Sequence, residues 1–553
     1  RDNGIVYGVL PGTERPYRAS GDEVHPWLIR LDLAGSSLET ARPGIGEILG
    51  PLDVSRGTWS IPPQRVTLGI GLFRAQPIIQ PQPSEFTIAT MNLERFFDTE
   101  DDPRTSDVVL TTAAFQTRLT RTARAIREFL HSPDIIGVEE VENLATLRAV
   151  ATAVGDYTAY LVEGHDPGGI DVGFLVKSRV QVVSVQQIGR TEEFTFGGRT
   201  ELLWDRPPLI LRARIGNSPP FTVMVNHFRS LLDADDPRVV AKRTGQARSL
   251  AQWIQQRHAP AEPLAVIGDF NSFPLGEPLS IVAGIIPRLL NLTDTLPADQ
   301  NYTYIQNGVS QTLDHILINP PMQRWLTRYN VARLNADAPE TLRNNAARAE
   351  RTSDHDHPVA YFSLDPPALR PAAVTNAATY LSGAVAPHEI VSIFGSGFTA
   401  AMPVTFDGVR ADVLYRSATQ INALVPAEVL RNTTTNLAVG SWAVTLPVHF
   451  SAPGVFRPIL NQDFSANSAT RPAARGSVIM LWGTGAGLAG PITAMIGTAP
   501  GEITYSGGAP GFPAGVFQVN VRIPGDAPAG DAVPLRLTMQ GRTTQRGLTI
   551  AIR

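Results

Sequence analysis

Apolar residues are arranged in three different ways along the chain. Up to residue 83, short β-like runs such as Ile5-Val6-Tyr7-Gly8-Val9-Leu10 and Trp27-Leu28-Ile29-Arg30-Leu31 are broken by glycine and proline. That stretch closes on Gln76-Pro77-Ile78-Ile79-Gln80-Pro81-Gln82-Pro83, which reads as an extended, proline-punctuated linker. From Phe86 the runs become apolar throughout and end in polar residues: Phe86-Thr87-Ile88-Ala89-Thr90-Met91-Asn92, Phe221-Thr222-Val223-Met224-Val225-Asn226-His227 and Leu264-Ala265-Val266-Ile267-Gly268-Asp269. They alternate with helical patterns at 116–131 and 243–257. Strands apolar on both faces require a covered sheet, and polar residues at their C-terminal ends place a site there. Asp365-Pro366-Pro367-Ala368-Leu369-Arg370-Pro371 reads as a second linker, and residues 373–553, rich in Val, Thr, Ile, Gly and Pro, read as all-β.

The last region repeats itself. Phe394-Gly395-Ser396-Gly397 is echoed by Trp482-Gly483-Thr484-Gly485. Tyr415 followed by Gln420-Ile421-Asn422-Ala423-Leu424-Val425-Pro426 is echoed by Tyr505 followed by Gln518-Val519-Asn520-Val521-Arg522-Ile523-Pro524. A separation of about 90–98 residues suits one small β-sandwich per repeat. Asn422 and Asn520 are expected to bond turn backbone.

Composition narrows the picture. A chain of 553 residues is too long for one core, so two to four domains are expected. A net charge of −4 argues against a uniformly basic nucleic-acid coat but leaves room for a local basic groove. With no cysteine there are no disulfides, thiolate metal sites or cysteine nucleophiles, which suits an exported bacterial protein. No apolar run approaches the roughly 18 residues needed to span a bilayer. The opening Arg1-Asp2-Asn3 lacks Met and a signal-peptide pattern, as expected of a processed or trimmed product.

Candidate chemistry is confined to the middle region. Polar clusters end its apolar runs: Met91-Asn92-Leu93-Glu94, Gly137-Val138-Glu139-Glu140-Val141-Glu142, Val225-Asn226-His227, Gly268-Asp269-Phe270-Asn271, Leu313-Asp314-His315 and Ser353-Asp354-His355. Oxygen donors without sulfur favour hard cations such as Mg²⁺, Mn²⁺ or Ca²⁺. Phosphodiester cleavage needs a metal against the phosphoryl charge, a group that orients water and stabilisation of the leaving oxygen. An Asp–His pair supplies an oriented imidazole whose pKa the carboxylate raises.

In order and spacing, Asn92, Glu140, His227, Asp269-Phe270-Asn271, Asp314-His315 and Ser353-Asp354-His355 resemble the endonuclease/exonuclease/phosphatase superfamily, over about 280 of the 553 residues. The resemblance implies an α/β fold, a four-layer α/β sandwich at 84–364 with its site at the open edge between two sheets. It also implies roles. Glu140, with Asn92 and Asp354, would hold the metal; Asp269 and Asn271 would orient water and phosphate. His355, paired with Asp314, would be general base or phosphate ligand, and His227 the second histidine. Asp171 sits where some relatives keep a carboxylate that orients the equivalent of His227. Asp356-His357 offers an overlapping Asp–His pair, but the preceding Thr352-Ser353 favours His355. His315 reads as structural, and Glu94, Glu139 and Glu142 as cap or surface carboxylates. Arg229, Lys242, Arg243 and Arg248 either meet phosphates, Arg229 and Arg243 foremost, or form a solvated helix face.

Residues 46–63 are similar to the closing strands of an OB-like barrel that precedes the catalytic domain in secreted bacterial nucleases, so 1–83 is expected to be a small β-rich region. Trp59 there reads as core rather than as a base-stacking platform. Residues 373–455 and 456–553 resemble immunoglobulin-like modules of secreted bacterial proteins, which would bind a cell surface or other proteins. The function expected is a secreted metal-dependent nuclease acting on DNA before RNA. The alternatives are a phospholipid or sugar-phosphate phosphoesterase of the same fold, and a non-catalytic structural or adhesion protein.

Overall fold

The structure is a computed structural model that describes residues 5–9, 15–18, 28–32, 46–49, 53–55, 58–61, 65–68, 73–296, 300–364, 370–399, 402–440, 442–487 and 490–553. Trp27, the Trp59 side chain and the 365–369 part of the second linker lie outside the described residues. The chain divides into two compact units. One comprises Arg1–Ala19, Val24–Thr293 and Asp299–Asp365; the other comprises Ser20–Glu23, Asp294–Ala298 and Pro366–Arg553.

Two six-stranded sheets form the first unit. One runs Tyr157–Leu161, Asp171–Lys177, Ile135–Val141, Glu85–Phe96, His357–Ser363, Leu326–Ala332. The other runs Val180–Gln187, Leu209–Ile215, Phe221–His227, Leu264–Asp269, Asp314–Ile318, Leu290–Asn291. The apolar runs noted above are the central strands. Glu85–Phe96 pairs in parallel with Ile135–Val141, and Phe221–His227 with Leu264–Asp269, so each pair ends at one edge.

Both faces of these strands are covered, as their unbroken apolar sequence demands. Helices Thr112–Arg124 and Leu144–Val154 lay Leu119, Ala123, Leu147 and Val150 on Ala89, Met91, Ile136 and Val138. Helices Pro237–Arg257 and Glu277–Ala283 lay Ala247, Leu250, Leu279 and Val282 on Met224, Leu264 and Val266. The remaining faces meet each other, with the Phe86 and Phe221 rings 5.6 Å apart. At Gly137 the approach is so close that a Cβ would lie 2.6 Å from Ile267 Cδ1.

Two details differ from the sequence reading. The 76–83 stretch is extended but docked: Ile78 is buried in the helix-side core and its N–H donates to Phe129 O at 3.0 Å. The second long helix begins earlier than its apolar periodicity, because Asp236 caps it and Pro237 needs no N–H partner in the first turn.

The N-terminal strands Ile5–Gly8, Ile29–Asp32, Thr58–Ile61 and Asp53–Ser55 form one sheet, and Gly46–Leu49 pairs with Arg65–Leu68. Tyr17–Arg18 instead adds to the hairpin Tyr304–Gln306/Val309–Gln311. The second unit is β-rich with two main cores, one around Val391, Phe406 and Leu437 and one around Leu481, Val519 and Leu537. Its sequence repeat is a repeat of register. Phe394 faces Gln420 and Trp482 faces Gln518; Tyr415 faces Asn422 and Tyr505 faces Asn520. Asn422 and Asn520 each accept a hydrogen bond from the preceding Gln side chain, at 2.8 and 2.9 Å, rather than binding turn backbone. Among the described residues no helix is long and apolar enough to cross a membrane.

Candidate active site

The parallel pairs deliver their polar ends to one place. Asn92 Nδ2 donates to Glu140 Oε1 at 3.0 Å and to Asp269 Oδ2 at 3.1 Å, joining the two sheets. His227 Nε2 stands 3.8 Å from Glu140 Oε1 and 3.7 Å from Asp269 Oδ2. Those distances exceed a hydrogen bond and leave the three donor groups around a common point. Ligand atoms of Glu140, His227 and Asp269 all lie within 4.8 Å of one another, as do those of Asp269, Asp314 and His355. Two carboxylates and an imidazole suit a hard or borderline divalent cation.

His355 Nδ1 is 2.8 Å from Asp314 Oδ2, and its Nε2 lies 4.0 Å from Asp269 Oδ2 and 3.9 Å from Asp354 Oδ1. Burial alone would depress its pKa, but Asp314, Asp354 and Asp269 together hold it well above the usual histidine range. His227 is the reverse: burial, then Arg206 and His355, keep it neutral. Burial and the charges of Asp314 and Glu140 push Asp269 up to about 7 against the attraction of His355.

The backbone takes positive φ at three positions in or beside the site. Glu140 and Asn271 have φ of 60° and 45°, and Gly268 has φ of 134°. At Gly268 a Cβ would fall 1.9 Å from Asn226 O, so only glycine lets the two parallel strands close up behind His227 and Asp269. Asn271 N donates to Asp269 Oδ1 at 2.7 Å, and its Nδ2 donates to Phe228 O at 3.2 Å.

Several expected roles change. Asn92, expected beside the metal, turns its NH₂ to the Glu140 and Asp269 carboxylates while its oxygen accepts the Glu94 N–H at 2.8 Å. Asp354 Oδ1 lies 3.9 Å from His355 Nε2. Asp171 does not reach His227: its Oδ1 accepts the Gly164 N–H at 2.7 Å and it shares a hydrogen bond with Glu163, while His227 Nδ1 is buried without a hydrogen-bond partner among the described residues. Arg243 is not on the rim. It is buried, and its guanidinium donates to Arg229 O at 2.5 Å and to Asn271 O, clamping two site turns together. Lys242 is likewise buried, 2.9 Å from Asp205. Arg229 is half-buried, with its N–H on Gln246, and Arg248 is exposed on the helix.

The two overlapping pairs have different surroundings. His357 is buried against Asn335 and pushed down to about 3, and Asp356 accepts the N–H groups of Leu334, Asn335 and Ala336. His315 is structural, as read, with Nε2 2.9 Å from Ser272 O. Glu94 pairs with Arg343 at 2.6 Å, whereas Glu139 and Glu142 are buried and not surface carboxylates. Glu139 accepts from Thr90 Oγ1 at 2.6 Å, and burial holds its pKa well above the usual range.

Three contributors escaped the sequence reading: the buried Arg206, which donates to Phe228 O at 3.1 Å; the exposed Arg95, three residues beyond Asn92; and Tyr304, whose ring centroid is 4.7 Å from that of His355. Only Tyr304 had a usable signal, the Asn307-Gly308 hairpin turn that folds it back toward Asp314.

Residues 89–355 match the profile of the Endonuclease/Exonuclease/phosphatase family, so the chain carries a domain of that family, whose members are hydrolytic phosphoesterases that typically depend on a divalent metal. Among solved structures, the chain is similar to an endonuclease/exonuclease/phosphatase from Bacteroides vulgatus at 15% identity, covering 51% of this chain and 99% of that one with a TM-score of 0.37. It is also similar to D. rerio TDP2 complexed with single-strand DNA product, at 18% identity, 51% and 99% coverage and a TM-score of 0.36. The human Nocturnin catalytic domain matches at 19% identity, 51% and 96% coverage and a TM-score of 0.35. No curated protein matches the chain.

Proposed function

We propose that the chain is a divalent-metal-dependent phosphodiesterase that hydrolyses nucleic acid, DNA before RNA, outside the cell. One observation carries the reading: carboxylates and imidazoles from both sheets converge at one edge beside His355, which Asp314 orients and whose pKa the surrounding carboxylates raise. Glu140, Asp269 and His227 would hold the metal. When bound, it neutralises charge on the phosphoryl oxygens. Asn92 keeps the two carboxylates aligned for it. His355, protonated at neutral pH, is a poor proton acceptor, so its part is to bind the phosphate and stabilise the charge that grows on it. Asp269, in turn held by the Asn271 N–H, is the carboxylate placed to orient the attacking water.

The exposed Arg95, three residues beyond Asn92, and the half-buried Arg229, two beyond His227, support a polyanionic substrate. With Arg243 and Lys242 turned inward, that rim is thinner than the sequence promised, and this favours a smaller phosphoester as the second reading. The helices on each outer sheet face and the contact between the inner faces support a four-layer α/β sandwich at 84–364. An OB-like 1–83 region and two immunoglobulin-like modules at 373–455 and 456–553 complete the proposed organisation. The absence of cysteine and the C-terminal β modules support secretion.

Purified protein is expected to degrade plasmid DNA with added Mg²⁺ or Mn²⁺, assayed beside sphingomyelin and a generic phosphodiester. EDTA or His355→Ala abolishes the activity. Full activity in either control overturns the mechanism, and turnover of sphingomyelin alone overturns the nuclease.

A further inference from the structure

We infer that the N-terminal segment at residues 15–18 is a built-in brace for the active site, holding in place the hairpin that sets Tyr304 and Asp314 against His355; the inference rests on the phosphodiesterase reading above. The segment lies outside the residues that match the family profile. Its target is the hairpin Tyr304–Gln306/Val309–Gln311, closed by Asn307 and Gly308 with φ of 49° and 76°. A two-stranded hairpin is marginal alone in water and gains from a third strand.

The N-terminal chain supplies that strand. Tyr17 and Arg18 pair in parallel with Ser310 and Gln311, and Pro16 O accepts the Ser310 N–H at 2.9 Å. Tyr17 Oη and Thr312 Oγ1 are 3.1 Å apart. Arg15 grips Asp337 through two nitrogens, at 2.8 and 3.3 Å, and its guanidinium carbon stands 4.0 Å from the centre of the Tyr302 ring. Tyr302 Oη donates to the same Asp337 at 2.5 Å. At the turn, Gly308 packs so tightly on Tyr7 that an added Cβ would meet the Tyr7 Cβ at 2.4 Å.

The hairpin's base, in turn, holds the Asp–His pair. Thr303 Oγ1 accepts the N–H groups of Leu313 and Asp314 at 3.1 and 3.3 Å. Thr303 O accepts the Asp356 N–H at 2.7 Å, next to His355. A hairpin freed from residues 15–18 would therefore misplace Asp314 and His355 together, a displacement that costs turnover more than binding. Arg15 and Tyr17 are positioning residues; neither is placed to touch substrate.

The test uses the full chain with Mn²⁺ and bis(p-nitrophenyl) phosphate. Arg15→Ala is expected to lower kcat about tenfold or more with KM changed less than about twofold, since oriented groups act on the transition state. Arg15→Lys, which keeps the charge but not the two-pronged grip, recovers part of the loss. Amide exchange at 304–312 quickens in Arg15→Ala while 135–141 and 264–269 keep wild-type protection. Wild-type kcat together with wild-type exchange in Arg15→Ala overturns the brace. If Arg15→Ala does not fold, Tyr17→Phe decides: faster hairpin exchange with a kcat about two- to threefold lower supports it, and no change in either overturns it. An inactive wild type defeats the phosphodiesterase reading, and hairpin exchange still decides the brace.

Discussion

At the residue scale, the surroundings of two buried histidines in one site push their pKa values in opposite directions. Burial pushes both toward neutrality; His227 yields, while the three carboxylates around His355 reverse the effect. Asp171 belongs to a different network, and its burial and Glu163 push it up to about 8 from 3.8. Folded protein therefore binds its proton more tightly than unfolded chain does. The stability it contributes is fully present below about pH 3.8 and is lost as pH rises through about 8, at no more than about 1.4 kcal/mol per pH unit. Asp171→Asn keeps an oxygen for the Gly164 N–H and offers an NH₂ to Glu163. It is expected to flatten that slope, raise the unfolding midpoint at pH 8 and leave kcat within about threefold of wild type. A hundredfold loss of kcat in this variant would restore Asp171 to the role of orienting His227.

At the element scale, the ends of strands matter more than their middles. The ladder slips at Glu140, skipped between Val141 and Glu139 opposite Asp171 and Val172, and φ turns positive at Glu140, Gly268 and Asn271. Gly268 is the tightest of these joints, with no room for a Cβ against Asn226 O. Gly268→Ala is expected to cost more than about 2 kcal/mol and to lower kcat at least about tenfold, because strand separation moves His227 from Asp269. Denaturant midpoints and kcat read side by side check it; a variant as stable and active as wild type would refute the close-approach account.

For the whole molecule, the two compact units have separate cores, so calorimetry is expected to resolve two transitions. Only the unit that carries Glu140, His227 and Asp269 should respond to Mn²⁺. Its stability rises by about 1.4 kcal/mol for each tenfold increase in free metal above Kd, and EDTA reverses the gain. A metal shift in the other transition, or in neither, would contradict the placement of the cation site.

Much of this was legible from residue order. Unbroken apolar runs ending in Asn92, His227 and Asp269 could only be central strands with a site at their ends, because period and burial are local properties of sequence. The C-terminal repeat was equally visible as a spacing of residues, whereas the pairing of Tyr415 with Asn422 and of Tyr505 with Asn520 emerged only from the register of the folded strands. The direction in which a long side chain points was not legible. Arg243 and Lys242 read as rim cations but turn inward, Asn92 presents its nitrogen, and Asp171 bonds its own loop. Those choices depend on which backbone carbonyls and carboxylates come within about 3 Å, and that is decided by segments distant in sequence. The sequence by itself determined which groups gather at the strand ends. Tertiary structure alone decided which of them lie side by side, which hold the scaffold, and that Tyr17 and Arg18 pair with Ser310 and Gln311.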